Sequence, residues 1–543
     1  MSIRNLIEKI YKSEWWFLAV VTALVIYVRL RHIDIAFERD EGEYTYAAQE
    51  ILRGRVPYLD FYNMKLPGVY YFFAFIFSLF PHTAFTVKIT LLVVNLINAF
   101  LVYLVAQSNL TFTKTQNYAL TAAAIYLLFS LSFEAQGWTA NAEHFVILPA
   151  LMGIVFFQNA YFKKSNGRYF LSGCLLSWAF ISKQHAVGYL LIPPLWLGSL
   201  FYFEQLGKRN FAVFTKQFLM PLLLYAMGGL LVFSALLYYF YSKNALSALY
   251  FFTFDYASAY VAAVKPFAEI WHFRPIFWNS PLFFALIFVA IYIGIRKHKV
   301  FAGQYFLWAF LLGCFICIHP GWYYRPHYFQ LLFPGAAILS AFTIQNMSSI
   351  CNKTPFFIHK NSLRWLGLLA TLTPQYGYFF TSNSADVTNK MYQGSYFNEV
   401  KMVAQTLPSM MRENGTIGII GAEPQILFYA KKESATGFLY HFPIYEKHKF
   451  AVQMADTLTA QLARNKPEIF IYFKDLGTDG AQNEVTQQRI ALWSNDFLTN
   501  YSRVGIFFAK PGTDFSHMRW YAQDTLPPTD FVERFSVWKR KTL

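Results

Sequence analysis

Carboxylate side chains are concentrated in one short part of the sequence. Residues 1–381 contain 14 Asp and Glu, and half of these lie between residues 34 and 60. They are Asp34, Glu38, Asp40, Glu41, Glu43, Glu50 and Asp60. A carboxylate can accept a proton from a hydroxyl or amine that is about to act as a nucleophile, so such a group is typical of a general-base site. A solvated acidic loop is the alternative interpretation.

Helical spacing gives this acidic segment a predicted shape. Small and apolar side chains recur at helical intervals, and Gly54 is a plausible C-terminal stop, so the pattern predicts a short amphipathic helix over 41–53 at the membrane surface. Asp40 lies at or near its N-cap, where the helix dipole and free amides favour a carboxylate. Capping alone would not explain the neighbouring Glu41 and Glu43. Asp40 is therefore predicted to be a functional base.

The composition excludes a soluble enzyme of this length. Of 543 residues, 56% are hydrophobic and 14% are charged, whereas soluble proteins average about 25% charged residues. A membrane helix needs about 17 to 25 apolar residues. Twelve stretches approach or reach that length, at 15–31, 66–80, 88–107, 117–133, 142–162, 168–186, 186–203, 216–241, 281–295, 301–318, 327–345 and 363–381. The sequence predicts a polytopic α-helical membrane protein with about 11 to 13 transmembrane helices.

The net charge of +16 belongs mostly to the apolar part of the chain. Residues 1–381 hold 28 Lys and Arg against 14 acids, whereas residues 382–543 hold 18 against 16. This distribution indicates membrane lipids and a lipid phosphate as partners, with no role in nucleic-acid binding.

Short basic loops indicate the orientation of the chain, because such loops stay cytoplasmic. They occur at 163–168, 208–216, 296–299 and 353–364. Their alternation places the acidic loop and residues 382–543 outside the cytoplasm. This arrangement requires an odd number of crossings, whereas twelve stretches are counted. The stretch 66–80 is the weakest of the twelve.

The composition of the chain becomes more polar from about residue 382. Beyond this point polar residues are frequent, and short buried strands are predicted at 416–421 and 468–473. Amphipathic helices are predicted at 397–411 and 450–465. We therefore expect two domains, a transmembrane catalytic domain over 1–381 with a catalytic outer loop at 32–66, and a small extracytoplasmic α/β domain over 382–543.

Other polar side chains interrupt the apolar stretches on the predicted outer side. Glu143, with Asn141 before it, lies at the start of an apolar helix, where a carboxylate is costly unless it faces a polar cavity. A structural salt bridge is the alternative for Glu143, and extension toward lipid headgroups is the alternative for Lys183. A further polar segment contributes Arg325, His327 and Tyr328.

Three motifs in the acidic loop resemble those of a known family. They are Arg-Asp-Glu-Gly-Glu-Tyr-x-Tyr-Ala-Ala at 39–48, Gly-x-x-Pro-Tyr-x-Asp at 54–60 and Lys-x-Pro-Gly at 65–68. In this order they resemble the first extracytoplasmic loop of the GT-C glycosyltransferases, in particular the bacterial protein O-mannosyltransferase and aminoarabinose (lipid A) transferase group. The resemblance covers the membrane half of the chain. It implies the GT-C fold and transfer of a sugar from a polyprenyl-phosphate carrier.

The resemblance also implies roles for particular residues. Asp40 would be the catalytic base, with Glu41 as its motif neighbour, and Lys65 would contact the carrier phosphate. Glu43 and Leu66 depart from the pattern of the lipid A transferases, which argues against that particular activity. Residues 137–144 correspond in position to the second acidic motif of the family and 325–328 to its Arg-x-His-Tyr segment. The remaining residues expected at the site are Glu143 as a catalytic residue and Glu43, Tyr44, Asn141, Lys183, Arg325, His327 and Tyr328 as substrate contacts.

The sequence and the resemblance together predict an inverting glycosyltransferase of a bacterial cytoplasmic membrane. It would move a hexosyl or pentosyl group to an acceptor outside the cytoplasm, which could be a protein, a glycolipid or a cell-envelope polymer. Neither a metal ion nor a cofactor is expected. A transporter or a flippase for lipid-linked sugars is the alternative, although no internal repeat of the kind common in transporters is visible. A carbohydrate-binding protein that has kept the scaffold is a third interpretation.

Overall fold

The computed structural model describes residues 11–108, 118–202, 215–262, 264–296, 305–350, 360–474, 483–510, 516–520 and 529–541. The predicted basic loops at 208–216, 296–299 and 353–364 lie largely outside these residues. The chain divides into two compact units. The first unit contains the described residues within 1–34, 85–238 and 266–384, and the second those within 35–84, 239–265 and 385–543. Residues 35–66 of the acidic outer loop thus belong to the second unit. The domain boundary at 381/382 stays a prediction.

Helices make up most of the described residues of the predicted membrane half. Each of the twelve predicted apolar stretches coincides with a helix over most of its described length. The helices are α1 (Glu14–Arg31), α2 (Arg39–Leu52), α3 (Gly68–Leu79), α4 (Ala84–Ser108), α5 (Tyr118–Phe129), α6 (Ala142–Lys163), α7 (Asn166–Ser182), α8 (Val187–Leu200), α9 (Met220–Ser242), α10 (Leu246–Tyr250), α11 (Ala257–Val261), α12 (Phe273–Asn279), α13 (Pro281–Arg296), α14 (Tyr305–Ile316), α15 (Phe333–Ile350) and α16 (Lys360–Tyr376).

Length and apolar composition show which described helices are long enough to cross a membrane. Four continuous segments qualify, Ala84–Ser108, Ala142–Lys163, Thr215–Ser242 and Pro326–Met347. A fifth is added if Ile270–Asn279 and Pro281–Tyr292, which meet at a bend of 117°, form one broken span. Helix α3 has 12 residues and is therefore about 18 Å long, against about 30 Å of hydrocarbon. Its length agrees with the expectation that 66–80 is the weakest stretch, and the number of crossings stays a prediction.

The C-terminal region contains a small mixed α/β structure, as predicted. Its helices are α17 (Ser384–Met391), α18 (Phe397–Thr406), α19 (Gln425–Ala430), α20 (Phe442–Tyr445), α21 (Ala451–Asn465) and α22 (Glu484–Phe497). Its strands are β1 (Ile417–Ile420), β2 (Ile469–Phe473), β3 (Tyr501–Ala509), β4 (Ser516–Trp520) and β5 (Val532–Arg540), and they form one sheet in the order β1-β2-β5-β3-β4. Strands β1 and β2 are parallel and the other pairs are antiparallel. Both predicted strands and both predicted helices are confirmed.

Helix α2 carries the acidic motif and is an internal element of the second unit. Its N-cap is Glu38, whose side chain accepts a hydrogen bond from the backbone of Glu41 in a reciprocal capping box. Asp40 is the second residue of the helix, near the cap but not the cap itself. The chain leaves the helix through Gly54, at φ +87°, as its predicted stop requires.

Helix α2 lacks the exposed polar face of an amphipathic helix over most of its length, and its position at a membrane surface stays a prediction. Residues Glu41–Glu50 are all buried, because α3 and α19 pack against the helix within the second unit. Apolar periodicity identifies the helix, but it does not reveal that polar residues on the other side are covered by distant parts of the chain.

Gly42 makes the close approach of α2 and α19 possible. A Cβ atom at this position would lie 2.4 Å from the backbone nitrogen of Gln425, so we expect Gly42→Ala to lower the free energy of unfolding by about 1–3 kcal/mol. The measurement is denaturant unfolding of the detergent-solubilised protein. Gly167→Ala is the matched control, because a Cβ there would meet nothing within 4 Å. Equal stability of both variants would contradict this account of the α2–α19 contact.

Candidate active site

Lys65 is the centre of a charged cluster within the second unit. It lies in the loop that leads into α3, and its ammonium contacts two carboxylates from the first turns of α2. The Lys65 Nζ atom is 2.9 Å from Asp40 Oδ1 and 2.6 Å from Glu43 Oε2. Asp40 and Glu43 are three positions apart, so they lie on the same face of the helix. One cation is thus shared by two carboxylates that the sequence places on one helical turn.

Asp40 is also held by two tyrosine hydroxyls. Tyr44 donates a hydrogen bond to Asp40 Oδ2 at 3.0 Å, and Tyr440 donates one to Asp40 Oδ1 at 3.0 Å. Both rings also face the ammonium of Lys65, at 4.6 Å and 5.4 Å from their centroids. The side chain of Asp40 is 21% exposed, whereas that of Glu43 is fully buried. Asp40 is therefore the carboxylate of this pair that an external molecule can reach.

Burial and charge set the protonation of the cluster. Burial on its own would lower the pKa of Lys65, but the adjacent carboxylates of Asp40 and Glu43 outweigh it and hold that pKa well above its ordinary value. Burial raises the pKa of Glu43, and Lys65 opposes part of that rise. Lys65 thus stays a cation, and Glu43 is the carboxylate that burial makes more costly to ionise.

Three residues outside the predicted set contact this cluster or the first turn of its helix. Tyr70 donates a hydrogen bond to Glu43. Glu423 accepts two hydrogen bonds from the guanidinium of Arg39, at 2.9 Å and 3.0 Å. Tyr440 contacts Asp40 as described above. Tyr70 follows Lys65 closely in the sequence and could have been found as a polar group at the start of an apolar stretch. No local signal identifies Tyr440 or Glu423.

A second polar group lies within the first unit. Glu143, in the first turn of α6, forms an ion pair with Lys183, and both side chains are buried. The Lys183 ammonium lies 4.5 Å from the centroid of the Tyr328 ring. The salt bridge that the sequence left open for Glu143 is therefore present. Lys183 is thus paired inside the protein.

The other predicted residues of the first unit lie around the Pro326–Leu332 turn and the start of α6. His327 Nδ1 is 2.9 Å from Gln136 Oε1, and the Arg325 guanidinium lies 5.1 Å from the centroid of the Tyr323 ring. Asn141 is the N-cap residue of α6, and its side-chain amide donates to Thr139 Oγ1 at 2.9 Å.

The predicted site residues thus fall into two groups, each within one unit. Asp40, Glu41, Glu43, Tyr44 and Lys65 belong to the second unit, and Glu41 serves in the capping box of α2. The remaining six belong to the first unit, namely Asn141, Glu143, Lys183, Arg325, His327 and Tyr328. Among the residues that the structure describes, no three His, Cys, Asp or Glu are grouped so that they could hold a metal ion. The catalytic and binding roles of these residues stay predictions.

A large apolar cavity lies within the first unit. Its volume is about 960 Å³, and it is bounded by side chains from α12, α13, α14 and α15. Aromatic residues dominate its walls, including Phe273, Trp278, Phe288, Trp308 and Phe315. Such a cavity suits a long apolar ligand.

No family model and no curated protein matches the sequence. Solved structures match its fold, and they are GT-C glycosyltransferases. ArnT from Cupriavidus metallidurans in the apo state is 12% identical, with a TM-score of 0.56 over 96% of each chain. The same protein bound to undecaprenyl phosphate matches with a TM-score of 0.51 and 12% identity over 84% of this chain and 92% of that one. The archaeal oligosaccharyltransferase AglB from Archaeoglobus fulgidus, in complex with an inhibitory peptide and a dolichol-phosphate, has a TM-score of 0.51 and 11% identity. That match covers 96% of this chain and 75% of AglB.

The resemblance to the GT-C glycosyltransferases is therefore confirmed at the level of fold. The fold and the long apolar helices together indicate a multi-pass membrane protein.

The buried pair of Glu143 and Lys183 generates a stability prediction. We expect Lys183→Met to lower the free energy of unfolding by about 3–5 kcal/mol, because it leaves the Glu143 carboxylate buried without its counter-charge. The double variant Lys183→Met/Glu143→Gln should recover much of this loss. The exposed pair Lys474–Glu533 is the control, since Lys474→Met should cost at most about 1 kcal/mol. Denaturant unfolding in detergent measures all three, and a Lys183 variant as stable as wild type would contradict the prediction.

Proposed function

We propose that the protein is an integral membrane glycosyltransferase that moves a sugar from a polyprenyl-phosphate carrier to an acceptor outside the cytoplasm. The observation that carries this proposal is the reachable carboxylate of Asp40 beside the ammonium of Lys65. A base and a fixed cation are the two groups that this transfer needs. The fold shared with ArnT and AglB supports the same reaction class, since those proteins have been seen with undecaprenyl phosphate and dolichol-phosphate.

In the proposed reaction Asp40 accepts the proton of the acceptor hydroxyl or amine. The acceptor atom forms a bond to the anomeric carbon while the bond from that carbon to the phosphate oxygen breaks. The polyprenyl phosphate leaves with the electron pair of the broken bond. A single displacement of this kind inverts the anomeric centre and needs no enzyme nucleophile.

Lys65 is proposed to bind the phosphate of the carrier. Its ammonium already contacts two carboxylates, so a phosphate oxygen would take the place of one of them. If it displaces Asp40, that carboxylate loses a charged donor and becomes a stronger base. Binding of the donor would then prepare the base for the chemical step.

The apolar cavity of the first unit is proposed to hold a long apolar chain. Burying an apolar chain contributes about 0.8 kcal/mol per CH₂ group, so a long chain gains affinity that a short one does not. Arg325 and His327 are proposed to contact a phosphate or a lipid headgroup, and Asn141 and Tyr328 are proposed as further substrate contacts. Glu143 is proposed as a catalytic residue, with Lys183 paired to it.

The finer features are proposed on the same basis. Short basic loops support an active site and a C-terminal region on the outer face of a bacterial cytoplasmic membrane. The transferred group is a hexose or a pentose, and the acceptor is a protein, a glycolipid or a cell-envelope polymer.

Asp40→Asn tests the proposed base. We expect turnover to fall by about 10²–10⁴ because the amide cannot accept the acceptor proton, while donor binding is retained. The assay is transfer of labelled sugar from a polyprenyl-phosphate donor by purified protein, with donor affinity measured separately. Asp60→Asn is the control, since Asp60 accepts a hydrogen bond from the backbone of Val56 in a turn of the same segment. Wild-type turnover in Asp40→Asn would show that Asp40 is not the base.

The same labelled donor, in vesicles that contain the purified protein, separates the alternative functions. Wild-type protein that moves lipid-linked sugar between the leaflets of a vesicle without transferring it would indicate a flippase. Donor binding with neither transfer nor movement would indicate a carbohydrate-binding protein.

Lys65→Ala tests the proposed phosphate contact. A hydrogen bond to a charged group contributes about 1.5–3 kcal/mol, so we expect donor affinity to fall by about 10- to 150-fold. Lys65→Arg keeps the positive charge beside Glu43 and should restore part of the affinity. Lys474→Ala, on an exposed ion pair of the sheet, is the control. Unchanged donor affinity and turnover in Lys65→Ala would exclude the phosphate role.

A further inference from the structure

We infer that Tyr440, in the C-terminal region, is a positioning residue for Asp40, so that this region completes the active site. This inference rests on the proposed function and deepens it. It assigns a role to a region that the resemblance seen in the sequence does not cover. Tyr440 and Asp40 are 400 positions apart, and both belong to the second unit.

The contact of Tyr440 with Asp40 is specific. Its hydroxyl donates to Asp40 Oδ1 at 3.0 Å, the same oxygen that lies 2.9 Å from Lys65 Nζ. Tyr44 donates to the other oxygen, Oδ2. The two tyrosines therefore hold the carboxylate from two sides, and Tyr440 is the one supplied from outside the acidic loop. Both of its neighbours at the site, Asp40 and Lys65, are residues of the proposed chemistry.

Nearby contacts set the position of the Tyr440 ring. It stacks on Phe442, with centroids 5.8 Å apart and ring planes at 17°. The Phe442 ring lies 5.8 Å from the Arg39 guanidinium, which pairs with Glu423. The neighbouring His441 accepts a hydrogen bond from the backbone of Gly421 at 3.1 Å. The Arg39–Glu423 ion pair is thus a second contact between the first turn of α2 and the C-terminal region, next to Asp40.

The hydroxyl of Tyr440 stays protonated and acts as a donor. Burial raises the pKa of Tyr440 well above its usual range, and the carboxylate of Asp40 raises it further. Other titratable groups around Asp40 act on it as well, and they are Glu38, Glu43, Tyr44, Lys65 and Tyr70. A hydrogen bond to an ionised carboxylate favours the ionised form. Tyr440 therefore helps to keep Asp40 ionised as the pH falls.

Tyr440→Phe tests the inference, because it removes the hydroxyl and keeps the ring. Activity depends on ionised Asp40, and loss of a donor raises the pKa of a carboxyl group. We expect the acid limb of the kcat/KM profile to move upward by about one pH unit. At pH values below the acid limb, kcat/KM of the variant should be about tenfold lower than that of wild type. At the plateau, KM for the donor should stay within about twofold of the wild-type value. An unmoved limb, or equal loss at every pH, would overturn the inference.

Tyr429→Phe is the matched control. Tyr429 also belongs to the C-terminal region, and its hydroxyl accepts a hydrogen bond from the backbone N–H of Phe37 at 2.9 Å. Loss of the Tyr429 hydroxyl removes another contact between the acidic segment and the C-terminal region. The hydrogen-bond donors of Asp40 stay in place. We expect a lower unfolding temperature with an unmoved acid limb. A limb that moves equally in both variants would show that Tyr440 acts only through stability, which contradicts the inference.

A second measurement does not depend on enzyme activity. Carbodiimide with a small amine modifies protonated carboxyl groups, and mass spectrometry can quantify modification at Asp40 as a function of pH. The midpoint should rise by about one pH unit in Tyr440→Phe and stay at the wild-type value in Tyr429→Phe. Absence of sugar transfer by wild-type protein together with this shift would reject the proposed function and keep the contact. Transfer without the shift would reject only the role of Tyr440.

Discussion

The interaction on which the second unit depends is the sharing of one ammonium, on Lys65, by the carboxylates of Asp40 and Glu43. Two carboxylates one helical turn apart repel each other, and burial makes each of them more costly to ionise. The cation between them, together with hydroxyl donors from Tyr44, Tyr70 and Tyr440, offsets this cost. Helix α2 can therefore be buried along most of its length although it carries a strongly acidic motif. The partial exposure of Asp40 leaves one reachable carboxylate in an otherwise covered group.

In the first unit a single lysine compensates the charge of a buried carboxylate. Glu143 is buried at the start of an apolar helix, and Lys183 supplies the single counter-charge that its position requires. Each unit thus contains a carboxylate held by a lysine, with an aromatic ring near the ammonium. Buried charges of this kind are expensive, and they are typical of functional sites in membrane proteins. ArnT and AglB share the fold of this chain at 11–12% identity.

Much of the fold was predictable, because the signals involved are local. Apolar stretches mark the helices of the membrane half, and alternating buried segments mark β1, β2, α18 and α21. Gly54 was recognisable as the end of α2 because only a residue tolerant of positive φ fits there. Glu38 was not recognised as the cap, since Asp40 and its neighbours offer the same side-chain chemistry. The burial of the polar face of α2 was not expected for a different reason: periodicity describes one face of a helix and contains no information about what covers the opposite face.

The sequence by itself determined the apolar helical segments, the acidic motif and the strands and helices recognised in the C-terminal region. These are properties of composition and of neighbours within a few turns. Only the tertiary structure decided that Lys65 bridges two carboxylates, that Glu143 meets Lys183, and that Tyr440 and Glu423 belong beside α2. Those contacts join residues between 22 and 400 positions apart. Their formation depends on burial of the whole chain around them, which no local pattern specifies.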